Sequence, residues 1–157
     1  MKIGILSDTH DQLNCLKAAL AFFEKEGCRA IIHAGDIVAP FSAQALREWP
    51  EQLFICYGNN DGERLGLKKV LPNIVSGPVT IVLDGRTIVF AHEKDRLTPA
   101  CYEKAQVVIY GHTHKPLVEN KNGRLWINPG ETCGWTTGNS TVAILETSDL
   151  SCEIHEI

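Results

Sequence analysis

Apolar residues in the first third of the chain come as short unbroken runs separated by a helical repeat. Ile3–Ser7 has strand length and is apolar almost throughout, as a strand buried on both faces requires. Leu13, Leu16, Ala19, Leu20 and Phe23 then recur at helical spacing, and Gly27 follows as a stop. Ala30–His33 predicts a second strand, Phe41–Trp49 a helix ended by Pro50, and Leu53–Tyr57 a third strand. The β-α-β-α-β order favours parallel strands joined by right-handed crossovers.

The second half changes character. Val79–Leu83 and Thr87–Ala91 flank Asp84-Gly85-Arg86, a hairpin signal. Leu97–Ala105 predicts a short helix and Val107–Tyr110 a strand. Val118–Asn120 and Leu125–Asn128 flank Lys121-Asn122-Gly123, a second hairpin. Thr141–Leu145 and Cys152–Ile157 predict a last antiparallel pair. Together these give two packed mixed sheets with helices outside. No repeat, low-complexity stretch or linker divides the chain, so one domain over residues 1–157 is expected.

The 157 residues, 44% hydrophobic and 22% charged, suffice for a core without staples. A metal site in such a chain serves function more than folding. The formal net charge of −4 carries no nucleic-acid footprint. Arg64, Lys68 and Lys69 form the nearest basic cluster, which a solvated helix face explains as well as phosphate binding does. Six cysteines without a CxxC pair read as mostly buried thiols in a reducing cytoplasm. The apolar start at Met1–Leu6 is too short for a signal core or a membrane span, so a cytoplasmic, membrane-free protein is expected.

Chemistry-bearing residues follow the strands repeatedly. Ser7-Asp8-Thr9-His10 follows the first, Ala34-Gly35-Asp36 the second and Tyr57-Gly58-Asn59-Asn60-Asp61 the third. His92 follows Ile88–Ala91, and Gly111-His112-Thr113-His114 follows Val107–Tyr110. Ligands bind beyond the carboxyl ends of strands in open α/β sheets, so these five loops converge if the strands are right. The mixed nitrogen and oxygen set suits manganese, iron, nickel, cobalt or zinc better than calcium or magnesium alone. Two such ions can share a carboxylate and grip a phosphate oxygen together with a hydroxide. Each piece has a plainer reading: Asp8 as a helix cap, Gly35-Asp36 as a turn, Asn59–Gly62 as a loop cap, His92 as a core histidine. His112-x-His114 is the sharpest, because alternate residues on an extended segment face one way. Four of the six histidines fall in these motifs. His155 reads as a surface residue, and His33 and Asp61 as groups behind the ligands that hydrogen-bond them. The glycines before Asp36, Asn59 and His112 permit tight turns.

With the five pieces in this order, the sequence resembles the calcineurin-like metallophosphoesterase superfamily. Its length and Gly58-Asn59-Asn60-Asp61 are similar to the small, YfcE-like phosphodiesterase branch. The resemblance covers essentially the whole chain. It implies an α/β fold, a four-layer α/β/β/α sandwich, with two divalent transition-metal ions, manganese foremost, at the sheet edges. By position, one ion takes Asp8, His10, Asp36 and His114, and the other Asp36, Asn59, His92 and His112, with Asp36 bridging. It further implies a metal-activated hydroxide attacking phosphorus in line, Asp36, Asn59, Asn60 and His92 serving catalysis, and a small phosphoester as substrate. Three positions depart from the family. Asn60 stands where many members have a histidine that protonates the leaving group, Glu93 follows His92 in place of glycine, and Glu131 follows Asn128-Pro129-Gly130 in place of serine. Glu131–Trp135 reads equally as a substrate-facing loop and as a structural turn. The alternative function is a binding scaffold of the same fold, as in the retromer subunit. A complete ligand set argues against it. A hydrophobic edge strand offers a contact for a homo-oligomer.

Overall fold

The computed structural model describes residues 1–157 and contains two β-sheets packed face to face. In chain order the elements are β1 (Lys2–Leu6), α1 (Leu13–Lys25), β2 (Ala30–His33), α2 (Pro40–Arg47), β3 (Gln52–Tyr57), α3 (Arg64–Val70), β4 (Val75–Ser76), β5 (Val79–Leu83), β6 (Arg86–Phe90), α4 (Pro99–Tyr102), β7 (Val107–Ile109), β8 (Leu117–Lys121), β9 (Arg124–Asn128), β10 (Thr141–Glu146) and β11 (Cys152–Glu156). The first sheet runs β11-β10-β1-β2-β3-β4 and the second β5-β6-β7-β9-β8. β1, β2 and β3 are parallel, as are β6, β7 and β9. Their carboxyl ends therefore share one edge in each sheet.

The pleat divides each strand's side chains between two cores. Ile3 and Ile5 of β1 and Ile32 of β2 meet Ile88, Phe90, Ile109 and Ile127 between the sheets. Leu6 and Ile31 face the helices, where Leu16, Ala19 and Phe23 of α1 join Leu46 and Leu67. Gly4 occupies the helix-facing side of β1 because a Cβ there would sit 2.7 Å from the Phe23 ring. Both hairpins form as the sequence predicts, on two-residue turns whose central residues have positive φ: Asp84 48° and Gly85 75°, Asn122 53° and Gly123 74°.

Four expectations change. The predicted helix Leu97–Ala105 shrinks to the single turn Pro99–Tyr102 after a 3-10 turn at Lys94–Arg96. Tyr102, Tyr110 and Trp126 pack edge-to-face over the second sheet's outer side, and Lys94 lies 5.1 Å over Tyr110, so aromatic rings replace most of a helix there. The Phe41–Trp49 helix instead spans Pro40–Arg47, with Pro40 at its first turn. His155 lies in β11 with its ring 5.1 Å from Phe22 of α1. All six cysteines are free, and only Cys28, Cys56 and Cys133 are buried, the other three being partly so. No helix is long and apolar enough to cross a membrane.

Candidate metal centre

Five loops leave the shared edge and are stitched together across the two sheets. Asp8 N–H donates to Gly35 O at 3.0 Å and His10 N–H to Asp36 O at 3.1 Å, joining the loops after β1 and β2. His92 Nδ1 contacts Ala34 O at 2.8 Å, and His112 N–H donates to Asp8 Oδ2 at 3.0 Å, joining the second sheet to the first. These bonds hold five polar residues in the left-handed region: Asp8 (φ 54°), His10 (40°), Asp36 (61°), His112 (65°) and His114 (59°). Such backbone costs on the order of 1 kcal/mol per residue and persists where surrounding bonds over-determine it. Close approach, more than turning, explains two neighbouring glycines. A Cβ on Gly58 would collide with the Asp36 carboxylate, and one on Gly111 with Ser7 Oγ. Gly35, at φ 96°, is the one of the three expected turn glycines that uses its conformational freedom.

The side chains converge on two buried carboxylates. Asp8 Oδ1 lies 3.3 Å from His114 Nε2, 3.7 Å from His10 Nε2 and 3.9 Å from His92 Nε2. Asp36 Oδ2 lies 3.2 Å from His92 Nε2 and 3.6 Å from His10 Nε2, between two imidazoles as a bridging group would stand. Asn59 Oδ1 is 2.9 Å from His92 Nε2. Asp8, His10 and His114 form one compact ligand group and Asp8, Asp36 and His92 another, so Asp8 is common to both. The sequence places only Asp36 in that shared position. His112 belongs to neither compact group, but its ring stands 5.2 Å from that of His92. His112 and His114 do not lie on an extended segment as expected, because β7 ends at Ile109 and both residues are left-handed, yet both rings reach the cluster. One imidazole joins His92 and the other, at 5.3 Å, joins His10.

The electrostatics follow from this crowding. Burial pushes the Asp36 carboxyl up, but His92 and the hydrogen bonds from Asn60 outweigh it and hold it well below the usual carboxylate range. The Asp8 carboxylate raises His10 despite burial; burial is the largest single effect on His92 and lowers it, but Asp36, Asp8 and the Ala34 carbonyl together outweigh it and raise it. The site is thus a negatively charged, buried cluster that draws cations. Asp8 Oδ1 and His10 Nε2 are both buried and have no hydrogen-bond partner. Orphaned polar atoms of this kind are rare and costly. A carboxylate oxygen and an imidazole nitrogen left bare beside further carboxylates and imidazoles fit a divalent transition metal.

Behind the cluster, other groups hold it in place. Asp61 accepts from the N–H groups of Gly58 (2.7 Å), Asp36 (3.1 Å) and Val38 (2.7 Å), fixing the Asp36 loop. His33 makes no hydrogen bond to a candidate ligand side chain. Gly35 N–H donates to its Nδ1 at 3.2 Å, and its Nε2 meets Thr9 Oγ1 at 3.1 Å, so it braces the backbone between Asp8 and His10. Asn60 donates twice to Asp36, from its N–H to Oδ1 at 2.8 Å and from Nδ2 to Oδ2 at 2.7 Å. Glu131, whose role the sequence leaves open, is fully buried and its Oε2 lies 2.7 Å from His114 Nδ1. Burial disfavours its charge, but the Thr137 N–H and hydroxyl, the Thr136 N–H and the Cys133 thiol hold it down to about 2. A carboxylate on the far nitrogen of a ligating histidine fixes its tautomer and raises its basicity.

A polar pocket of about 260 Å³ adjoins Asn59, lined by Tyr57, Arg64, Ser76, Glu93 and Arg96 among others. Glu93 pairs with Arg96 at 3.0 Å, so its charge is balanced inside the pocket. On the other side, Trp135 stands 6.4 Å from the His10 ring, 25° from parallel, and remains 64% exposed.

Residues 1–150 match the profile of the calcineurin-like phosphoesterase superfamily domain. The chain is 38% identical over 155 residues to phosphodiesterase MJ0936 of Methanocaldococcus jannaschii, covering 94% of this chain and 93% of that protein. It is 25% identical over 151 residues to phosphodiesterase YfcE of Escherichia coli K12, covering 83% of this chain and 78% of that one. The solved structure of an archaeal phosphodiesterase superposes with a TM-score of 0.88 at 33% identity, covering all of both chains. The chain belongs to the calcineurin-like phosphoesterase superfamily, which places it among the metal-dependent phosphoester hydrolases.

Proposed function

We propose that this member of the superfamily hydrolyses small phosphodiesters at a centre of two divalent metal ions held by Asp8, His10, Asp36, Asn59, His92, His112 and His114. The observation that carries the reading is the pair of bare buried atoms, Asp8 Oδ1 and His10 Nε2, 3.7 Å apart inside a carboxylate and imidazole cluster. When bound, a pair of divalent cations supplies a nucleophilic water at neutral pH and charge compensation for the phosphoryl oxygens. The rest falls to the chain. Asp36, clamped by Asn60, keeps one oxygen between His10 and His92. His114, held by Glu131, presents Nε2 to Asp8. The pocket beside Asn59 receives one ester arm, with Arg64 and Arg96 in its polar lining. Manganese is the expected ion, since a mixed nitrogen and oxygen set accepts it and cellular supply decides occupancy.

The test is to strip the protein with chelator, reload it with Mn²⁺ and desalt it. About two ions per chain are expected, with turnover of bis(p-nitrophenyl) phosphate that chelator abolishes. Asp36→Asn should lose both metal and turnover while keeping its circular dichroism. A folded wild type that takes up no metal overturns the reading, and metal uptake without any turnover favours a scaffold.

A further inference from the structure

We infer that Trp135 is a stacking platform for a nucleobase on one arm of the substrate. The inference rests on the phosphodiesterase reading above and names the substrate class. Three tryptophans occur in the chain, and Trp49 and Trp126 are both partly buried against hydrophobic clusters. Trp135 alone is mostly exposed, with 64% of the residue's surface in solvent. Its exposure has no use in the core, because the loop between β9 and β10 buries its first residues, Glu131, Thr132 and Cys133 among them, and leaves Trp135 outside.

The ring is nonetheless held in a defined place. Gly134 and Gly138 bracket the segment with φ of 67° and 83°, and Gly138 N–H donates to Gly134 O at 3.2 Å. The next two residues, Thr136 and Thr137, are pinned to the buried Glu131 carboxylate by both their N–H groups. That same carboxylate bonds His114, so one buried group fixes a candidate metal ligand and the loop that presents the indole. The ring stands 6.4 Å from the His10 ring at an interplanar angle of 25°, and His10 Nε2 lies 3.7 Å from Asp8 and 3.6 Å from Asp36. A phosphate at the carboxylate cluster therefore has, one imidazole away, a rigid flat π-surface open to solvent. A base joined through its sugar to that phosphate covers the ring and replaces its hydration. Base–aromatic stacking is tolerant of which base is present, so the platform selects nucleotide-like arms as a class. The polar pocket by Asn59, lined with arginine and glutamate, has no such free surface, since Arg64 already lies 4.9 Å over Tyr57.

Titration calorimetry on the metal-reconstituted protein tests this with adenosine 5′-monophosphate, ribose 5-phosphate, phenylphosphonate and methylphosphonate. Metal content is measured alongside. The wild type should bind the adenosine phosphate roughly 5- to 100-fold more tightly than ribose 5-phosphate, the range that stacking supplies. Trp135→Ala should bring that ratio close to one with the ribose phosphate unaffected, and Trp135→Phe should restore much of it. A wild-type ratio near one overturns the inference. So does an equal loss for both sugars in Trp135→Ala, which marks a structural role, or a preference for phenylphosphonate without one for the adenosine phosphate, which marks an aryl site. A wild type that binds neither sugar phosphate also overturns the inference, whereas the phosphodiesterase reading stands or falls separately, on metal uptake and turnover of bis(p-nitrophenyl) phosphate.

Discussion

Replacing Glu131 by glutamine should weaken one metal position through a histidine that is itself unchanged. Ionised Glu131 only accepts hydrogen bonds, so His114 carries its proton on Nδ1 and turns the Nε2 lone pair toward Asp8 Oδ1, 3.3 Å away. The amide of Glu131→Gln has two possible orientations. With its NH₂ in place of Oε1 it opposes the backbone N–H groups of Thr136 and Thr137, which cannot turn away. With its NH₂ in place of Oε2 it opposes His114 Nδ1, the Cys133 thiol and, at a longer 3.1 Å, Thr136 N–H. The thiol can rotate and the imidazole can change tautomer, so the second orientation costs less. His114 then carries its proton on Nε2, the atom that faces the metal site. Losing such a partner typically costs about 10–100-fold in metal affinity, which corresponds to about 1.4–2.7 kcal/mol. A donor left facing a donor adds about 1–3 kcal/mol of lost stability.

Competition titration against a chromogenic chelator reads the affinity directly, with Mn²⁺ and Zn²⁺, for wild type, Glu131→Gln and His114→Ala. The expected pattern is one binding step weakened 10–100-fold, with the other unchanged, in Glu131→Gln, and the same step lost in His114→Ala. Superimposable titrations of wild type and Glu131→Gln would refute the tautomer argument. A uniform weakening of both steps would refute its localisation to His114.

Two further outcomes follow from neighbouring groups. Burial lowers His33 to about 4 against 6.5 for the free side chain, and its Nδ1 accepts the Gly35 N–H, which a second ring proton would oppose. The unfolded chain therefore takes up a proton first: the contribution is complete above about pH 6.5 and lost as the pH falls toward 4, by about 3 kcal/mol. Because His10 and His92 are raised and act in the opposite sense, the check is a difference: urea melts of chelated wild type and His33→Gln at neutral and acid pH should diverge, and parallel pH profiles would contradict it. Asn60 spends its amide on Asp36 and has no acidic proton, so wild type should favour aryl over alkyl leaving groups by about 10²–10⁴-fold, and Asn60→His should narrow that gap at constant metal content. A wild type with little leaving-group dependence would assign protonation to another group.

Local pattern and tertiary context divided the legibility of this molecule. Strands β1, β2, β3, β6 and β7 were readable because each is an apolar run ending at a polar loop, and parallel pairing then forces those loops to one edge. The two hairpins were readable because Asp-Gly and Asn-Gly suit the positive φ their turns need. Helix α3 was visible only as a basic face, since Leu67 and Val70 are its only buried residues and two positions make no period. The Leu97–Ala105 stretch does not form the expected helix, because Leu97 and Ala105 join Val89, Val108 and Tyr110 in one buried cluster from irregular backbone.

The chemistry of the site divides along the same line. Asp8, His10, Asp36, Asn59, His92, His112 and His114 are legible as a set because their residue types make chemical sense together. Their geometry is not legible, because five of them are left-handed through bonds made by other loops. His112 and His114 both reach the cluster, but not by the alternation expected: the tertiary frame replaces the extended backbone on which alternation depends. Glu131 shows the same limit from the other side. After Pro129-Gly130 the sequence leaves Glu131 open between a substrate-facing loop and a structural turn, and neither reading points to a buried carboxylate, since an isolated one is costly. It is buried because Thr136, Thr137, Cys133 and His114 all turn donors toward it. Only His114 among these belongs to a recognisable motif, and it lies 17 positions away. The signal that was available is chemical: a charged residue in an otherwise apolar and hydroxylated stretch, beside a motif rich in histidine, needs donors, and an imidazole whose other nitrogen binds metal has one to give.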